Sequence, residues 1–139
     1  MSLQVSFSGG YHHYLKTYFD KGLLPTVKKG LYGDSININN RSLEHMIPRS
    51  KKGPTELWNL ALASVRKNNK RGCRPLQEVL TQEQLEDYAL QFKDVKVIKL
   101  CGNAYIAKLR ELGRKLGIIK GPSRLDSIED PQLKLDLFV

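Results

Sequence analysis

The segment 41–74 limits the possible folds more than any other part of the sequence, because turn-forming residues divide it into short pieces. Its first piece ends in an acid-histidine pair, Glu44-His45, and Pro48 then indicates a loop. An apolar piece opens at Asn59, and the basic run 65–72 is typical of a short helix. We therefore expect an extended piece, a loop, an apolar piece and a helix, in that order.

The acid-histidine pair offers groups that phosphodiester hydrolysis requires. That reaction needs a base to deprotonate water, a cation to hold the phosphate, and a group that keeps the base oriented. Neighbouring side chains of a regular strand point to opposite faces, so Glu44 and His45 can converge only where the strand ends in a loop. An amide oxygen, such as that of Asn68, is an acceptable ligand for a hard cation such as Mg²⁺.

At these positions the sequence resembles the HNH endonuclease family. The family pattern is an acid-histidine pair, a nearby Ile-Pro, a loop with glycine, Asn-Leu about fourteen residues after the histidine, and a His or Asn nine residues later. The matching residues are Glu44-His45, Ile47-Pro48, Gly53, Asn59-Leu60 and Asn68. The resemblance covers residues 41–73, and its several fixed spacings make it more specific than a lone dipeptide.

The resemblance implies a role for each matching polar residue. His45 is implied to be the general base, while Glu44 and Asn68 are implied to hold a divalent metal, Mg²⁺ or Mn²⁺. Asn59 is implied to pin the loop by hydrogen bonds, so that the histidine stays oriented. The adjacent Asn69 competes for the ligand role, and only the nine-residue spacing favours Asn68.

The resemblance also implies the fold, an α+β domain built on a ββα-metal finger over residues 41–74. Its first strand would end near His45, its second would lie at 60–63, and its helix would run through Asn68. A monomer with one such finger has one site and should nick one DNA strand. Cutting both strands would need a homodimer or two successive events.

The sequence departs from the commonest family pattern in three respects. The acid is Glu44, where Asp is commoner. Many relatives carry zinc-binding cysteines beside the helix, but the corresponding positions are Ser64 and Lys67, so no structural zinc is expected and packing must replace it. The last residue of the triad is an asparagine, Asn68, as in the HNN subgroup.

The charge of the chain favours a polyanionic partner, which we expect to be double-stranded DNA. The net charge is +9, and residues 41–74 carry nine basic and two acidic side chains. A solvated basic surface is the alternative explanation. The candidate phosphate contacts near the expected site are Arg49, Lys51, Lys52, Arg66, Lys67, Lys70 and Arg71.

Helical extensions are expected at both ends of the finger, within a single domain over 1–139. The N-terminal extension, 1–40, contains His12 and His13, for which packing or surface positions are the simpler interpretation. Its expected elements are a helix over 10–20 and a short strand at 35–38.

The C-terminal extension, 75–139, is expected to contain two helices and an extended piece between them. The first helix runs from the capping box Thr81–Gln84 to about Lys93, the extended piece lies at 95–98, and the second helix is capped by Asn103 and ended by Gly117.

The C-terminal segment 132–138 resembles the peptides by which replication and repair enzymes bind the bacterial sliding clamp. Its sequence runs from Gln132 to Phe138 with leucines at alternate positions. The alternative is a last strand whose leucines pack on the domain. Both interpretations are compatible with the sequence.

The remaining composition restricts the class of protein. The two cysteines belong to no paired-cysteine motif, so a reducing, cytoplasmic location is expected, and no apolar run is long enough to span a membrane. The function that the HNH resemblance implies is a metal-dependent DNA endonuclease. The competing hypothesis is a basic DNA-binding module that has the same fold but no activity.

Overall fold

The computed structural model describes residues 27–37, 39–94 and 102–129. Within these ranges two antiparallel strands and several helices share one hydrophobic core, which confirms the predicted α+β class. No helix in the described ranges is long and apolar enough to cross a bilayer. The predictions that fall outside the described residues are those for the helix over 10–20 with His12 and His13, the extended piece at 95–98 and the tail 132–138.

A two-stranded hairpin carries the acid-histidine pair. Strand β1, Arg41–His45, pairs antiparallel with β2, Leu60–Ser64, and His45 lies opposite Leu60. Leu43 and Leu62, a directly opposed pair, are completely covered. Both strands lie where the sequence placed them.

Helix α1, Val65–Arg71, follows β2 without an intervening loop. The Ser64 hydroxyl caps it by accepting a hydrogen bond from the Lys67 N–H at 3.2 Å. The helix runs through Asn68, as expected, and it packs against both strands. This packing brings Asn68 beside β1.

The C-terminal extension supports the hairpin through buried tyrosines. It contains α2, Leu76–Val79, α3, Gln82–Leu90, α4, Gly102–Lys115, and a 3₁₀ turn, Arg124–Ser127. The Tyr105 hydroxyl donates to the Leu60 carbonyl at 2.7 Å, and the Leu62 N–H donates to the Tyr88 hydroxyl at 3.0 Å. A chain without zinc-binding cysteines was expected to depend on packing by its flanking helices, and α3 and α4 provide such packing.

Local signals predicted several boundaries of this extension correctly. The capping box between Thr81 and Gln84 begins α3, and Gly117, at φ +76°, follows the end of α4. Tyr105, Ile106, Leu109 and Leu112 lie at helical spacing along α4 and are buried. This face of α4 therefore packs into the core.

Three local predictions were wrong. Asn103 does not cap α4, which begins at Gly102. Its side chain instead accepts a hydrogen bond from the Asp94 N–H at 2.9 Å. Helix α3 ends at Leu90 rather than near Lys93, because residues 91–94 form turns. At 35–38 the described residues form one isolated bridge, Lys29 to Ser35, and no strand. There the Asn37 side chain binds backbone N–H groups and favours a turn.

A buried carboxylate joins α3 to the 3₁₀ turn. Glu86 accepts hydrogen bonds from the Ser123 hydroxyl at 2.7 Å, the Arg124 N–H at 2.9 Å and the Gln82 amide at 3.1 Å. Burial opposes ionisation of this carboxyl, but these bonds outweigh it and lower the pKa of Glu86 from 4.5 to about 2. The ionised form therefore stabilises the folded state.

Replacing this carboxylate is expected to make stability less sensitive to acid. Glu86→Gln should lower the free energy of unfolding at pH 7 by about 2 kcal/mol, because the hydrogen bonds to a charged acceptor are weakened. Since the pKa of Glu86 is depressed on folding, this contribution is present above pH 4.5 and is lost as the pH falls towards 2. Urea unfolding of both proteins between pH 7 and pH 3 measures the difference. The exposed Glu83→Gln serves as control, and a difference that stays constant with pH would contradict this assignment.

Candidate active site

The loop between the two strands is closed by the side chain of Asn59. Asn59 is completely buried; its Oδ1 accepts from the Ile47 N–H at 2.8 Å, and its Nδ2 donates to the carbonyls of Ile47 at 3.1 Å and Pro54 at 2.9 Å. Its own carbonyl accepts from the Met46 N–H at 2.8 Å. The loop is thereby fastened immediately after His45.

Gly53 lies where the two sides of this loop approach most closely. A Cβ atom at this position would stand 1.8 Å from the Ile47 carbonyl oxygen and 2.9 Å from the Asn59 amide nitrogen. Since no side chain can occupy that space, the loop needs glycine here. The glycine of the motif thus has a steric reason in this fold.

His45 is covered by the protein and lines a cavity of about 170 Å³. Its Nε2 lies 2.8 Å from the Thr55 hydroxyl oxygen, so a loop residue orients the ring. Burial, together with the positive charges of Arg49 and Arg71, lowers the pKa of His45 to about 4. The imidazole is therefore neutral at pH 7, the form that can accept a proton.

Glu44 lies within β1 beside His45 but does not line the same cavity. Its carboxylate is buried, and Oε1 accepts two hydrogen bonds, from Arg71 Nη1 at 2.9 Å and from the Tyr32 hydroxyl at 2.6 Å. Oε2 is also buried, and no described residue donates to it. Burial raises the pKa of Glu44, while the bonds from Tyr32 and Arg71 act in the opposite direction.

Arg71 is not on the surface, which corrects its assignment to the phosphate-contacting group. Only 4% of it is exposed, and besides Glu44 it donates to the carbonyls of His45 at 2.8 Å and Met46 at 2.7 Å. Its Nε donates to the Arg74 carbonyl at 2.9 Å. A buried carboxylate needs a buried cation, and Arg71 is that cation, binding the end of α1 to the end of β1.

Asn68 faces the cavity that His45 lines. Its Nδ2 donates to the Ser42 hydroxyl at 3.3 Å and to the Leu43 carbonyl at 3.4 Å, whereas none of the described residues donates to its Oδ1. The competing Asn69 is exposed and is not part of that cavity's lining. Of the two asparagines, Asn68 is therefore the one beside His45.

The described residues include two oxygen atoms that could serve as ligands of a divalent cation. Glu44 Oε2 is a buried carboxylate oxygen without a partner, and Asn68 Oδ1 is an amide oxygen without one. No cluster of three or more His, Cys, Asp or Glu side chains occurs within the described ranges. A metal here would thus have few protein ligands, as is usual for Mg²⁺, which keeps several of its waters.

Most of the predicted phosphate contacts are exposed, and one of them, Arg49, lines the cavity of His45. Arg49, Lys51 and Lys52 lie on the loop, and Arg66, Lys67 and Lys70 lie on α1. Lys67 and Lys70 also line a second cavity, of about 310 Å³, together with Arg74, which the sequence did not single out. The Arg74 guanidinium donates to the carbonyls of Lys70 and Arg71 at the end of α1.

Two residues of the site were not identified from the sequence. Tyr32 lies twelve residues before Glu44 and outside the motif. Thr55, the partner of His45, occupies a loop position to which the motif assigns no residue type. Neither residue carries a signal in the sequence, because each is recognised only by its contact with a motif residue.

Comparison with known proteins adds no relative to this description. No protein-family model matches the chain, and neither the curated proteins nor the solved structures gave a significant match.

Proposed function

We propose that this protein is a metal-dependent endonuclease that hydrolyses phosphodiester bonds in double-stranded DNA. The observation that carries the proposal is the combination of a neutral His45 and Asn68 on one cavity with a buried Glu44 oxygen that has no partner. These are the residues to which the HNH resemblance assigns base and ligands. The exposed cations around the cavity support a polyanionic substrate.

In this proposal His45 is the general base. Its neutral imidazole takes a proton from water, and the hydroxide so formed attacks the phosphorus atom. The bond from phosphorus to the 3′ oxygen breaks, and that oxygen leaves with a proton from solvent, which gives a 5′ phosphate and a 3′ hydroxyl. Thr55 and the loop held by Asn59 keep the imidazole in place during proton transfer.

Glu44 and Asn68 would hold the cation, Mg²⁺ or Mn²⁺. When bound, such an ion stabilises negative charge on the phosphate and on the departing oxygen. Glu44 would contribute Oε2, since Oε1 is already bound by Arg71 and Tyr32. Asn68 would contribute Oδ1.

Cleavage of supercoiled plasmid tests the proposal. The wild-type protein is expected to convert supercoiled plasmid to the open circle with Mg²⁺ or Mn²⁺ and to leave it intact with EDTA. Open circle should precede linear product, since one chain presents one site. Retarded plasmid with no cleavage under any metal would instead support an inactive DNA-binding module.

A further inference from the structure

Tyr32 approaches the candidate metal ligand from a part of the chain that the motif does not include. Its hydroxyl donates to Glu44 Oε1 at 2.6 Å, the shorter of the two hydrogen bonds that this oxygen accepts. The hydroxyl is the donor of this bond, because an ionised carboxylate oxygen can only accept.

The backbone around Tyr32 is fastened to the hairpin. The Leu31 N–H donates to the Leu62 carbonyl at 2.8 Å, and the Tyr32 N–H donates to Asp34 Oδ1 at 3.2 Å. The other oxygen of Asp34 accepts from the Ser64 N–H at 2.6 Å. The hydroxyl of Tyr32 therefore reaches Glu44 from a position set by β2.

Both donors converge on one oxygen of the Glu44 carboxylate. An arginine beside a carboxylate often binds both of its oxygens with parallel hydrogen bonds. Here Arg71 is held by the carbonyls of His45, Met46 and Arg74, and only its Nη1 reaches the carboxylate. Tyr32 occupies the second acceptor position of Oε1, which fixes the rotation of the carboxylate.

This arrangement leaves the second oxygen of the Glu44 carboxylate, Oε2, without a hydrogen-bond partner in the described part of the chain. Oε2 is buried without a partner among the described residues, and leaving a buried polar group unpaired has a cost in free energy. Such a cost is offset if a cation binds there. Of the two donors to Oε1, Arg71 is positively charged and Tyr32 is neutral, so the tyrosine hydroxyl orients the carboxylate without adding to the positive charge beside it.

We propose that Tyr32 is a positioning residue of the metal site, holding Glu44 Oε1 together with Arg71 so that Oε2 is presented to the divalent cation. This inference rests on the proposed function, since it assumes that Glu44 binds the metal. According to this inference, residues 30–34, which lie outside the HNH-like segment, contribute to the affinity for the metal.

Binding of Mn²⁺ alone to the DNA-free protein tests this role. Tyr32→Phe removes the hydroxyl and keeps the ring, and we expect Mn²⁺ affinity, measured by electron paramagnetic resonance, to fall about 10-fold or more. The rise in melting temperature produced by Mn²⁺ should shrink in parallel. In plasmid cleavage, the Mn²⁺ concentration for half-maximal rate should rise, whereas the rate at saturating Mn²⁺ should change much less.

The matched control is Tyr105→Phe, which removes a buried hydroxyl that binds the Leu60 carbonyl and does not contact Glu44. This control should lose stability and keep the Mn²⁺ affinity of the wild type. Equal Mn²⁺ affinity in Tyr32→Phe and wild type would overturn the role of Tyr32 while leaving the nuclease proposal intact. Absence of Mn²⁺ binding by the wild type itself would overturn both, so the two failures are distinguishable.

Discussion

His45→Ala is expected to reduce the rate of plasmid nicking by about 100-fold to 10,000-fold, the usual contribution of a general base. The substitution removes the only imidazole in the described part of the chain and leaves Glu44 and Asn68 unchanged. Since the pKa of His45 is about 4, the side chain carries no charge at pH 7. Its loss should therefore not weaken electrostatic binding of DNA.

A binding measurement and a control variant distinguish the loss of the general base from a general loss of structure. Fluorescence anisotropy with labelled duplex DNA in EDTA should give the same affinity for His45→Ala and wild type. His13→Ala serves as the matched control, because it removes a histidine outside the HNH-like segment, and it should retain nicking activity. Nicking by His45→Ala within a few-fold of the wild type would exclude His45 as the base.

Arg71→Met is expected to lower the free energy of unfolding by about 3–5 kcal/mol, the largest stability effect that we predict. Arg71 and Glu44 form a salt bridge at 2.9 Å with side-chain exposures of 3% and 1%. Without the guanidinium, the Glu44 carboxylate would be buried with no countercharge. Three backbone carbonyls, of His45, Met46 and Arg74, would lose their donor as well.

A double-mutant cycle attributes this loss to the ion pair. Combining Arg71→Met with Glu44→Gln should cost less than the sum of the two single substitutions, because the unpaired charge is absent from the double variant. Lys70→Met, which removes an exposed cation from the same helix, should change the free energy of unfolding by less than about 0.5 kcal/mol. Urea unfolding of the wild type and the four variants measures these differences. A loss below 1 kcal/mol for Arg71→Met would contradict the structural role assigned to the pair.

Much of the fold around the candidate site could be predicted because its signals are local. The resemblance at His45, Asn59 and Asn68 implied the positions of two strands and a helix, and these elements lie there. The hydroxyl of Thr81 predicted a helix start because a capping side chain bonds only to its own first turn. Asn103 resembles such a cap in sequence, yet its amide binds Asp94, nine residues earlier in the chain. A capping residue type therefore does not by itself identify its partner.

The sequence by itself determined the order of strand, loop, strand and helix, and with it the set of residues that could perform chemistry. Only the tertiary structure decided what each of them contacts. Arginine is usually a surface residue, but folding places Arg71 2.9 Å from a carboxylate 27 residues earlier in the chain and removes it from the expected phosphate contacts. Tyr32 reaches the same carboxylate from a turn outside the motif. The physical reason is that burial and hydrogen bonding depend on which segments, distant in the sequence, come into contact. A local pattern of residue types does not specify those contacts.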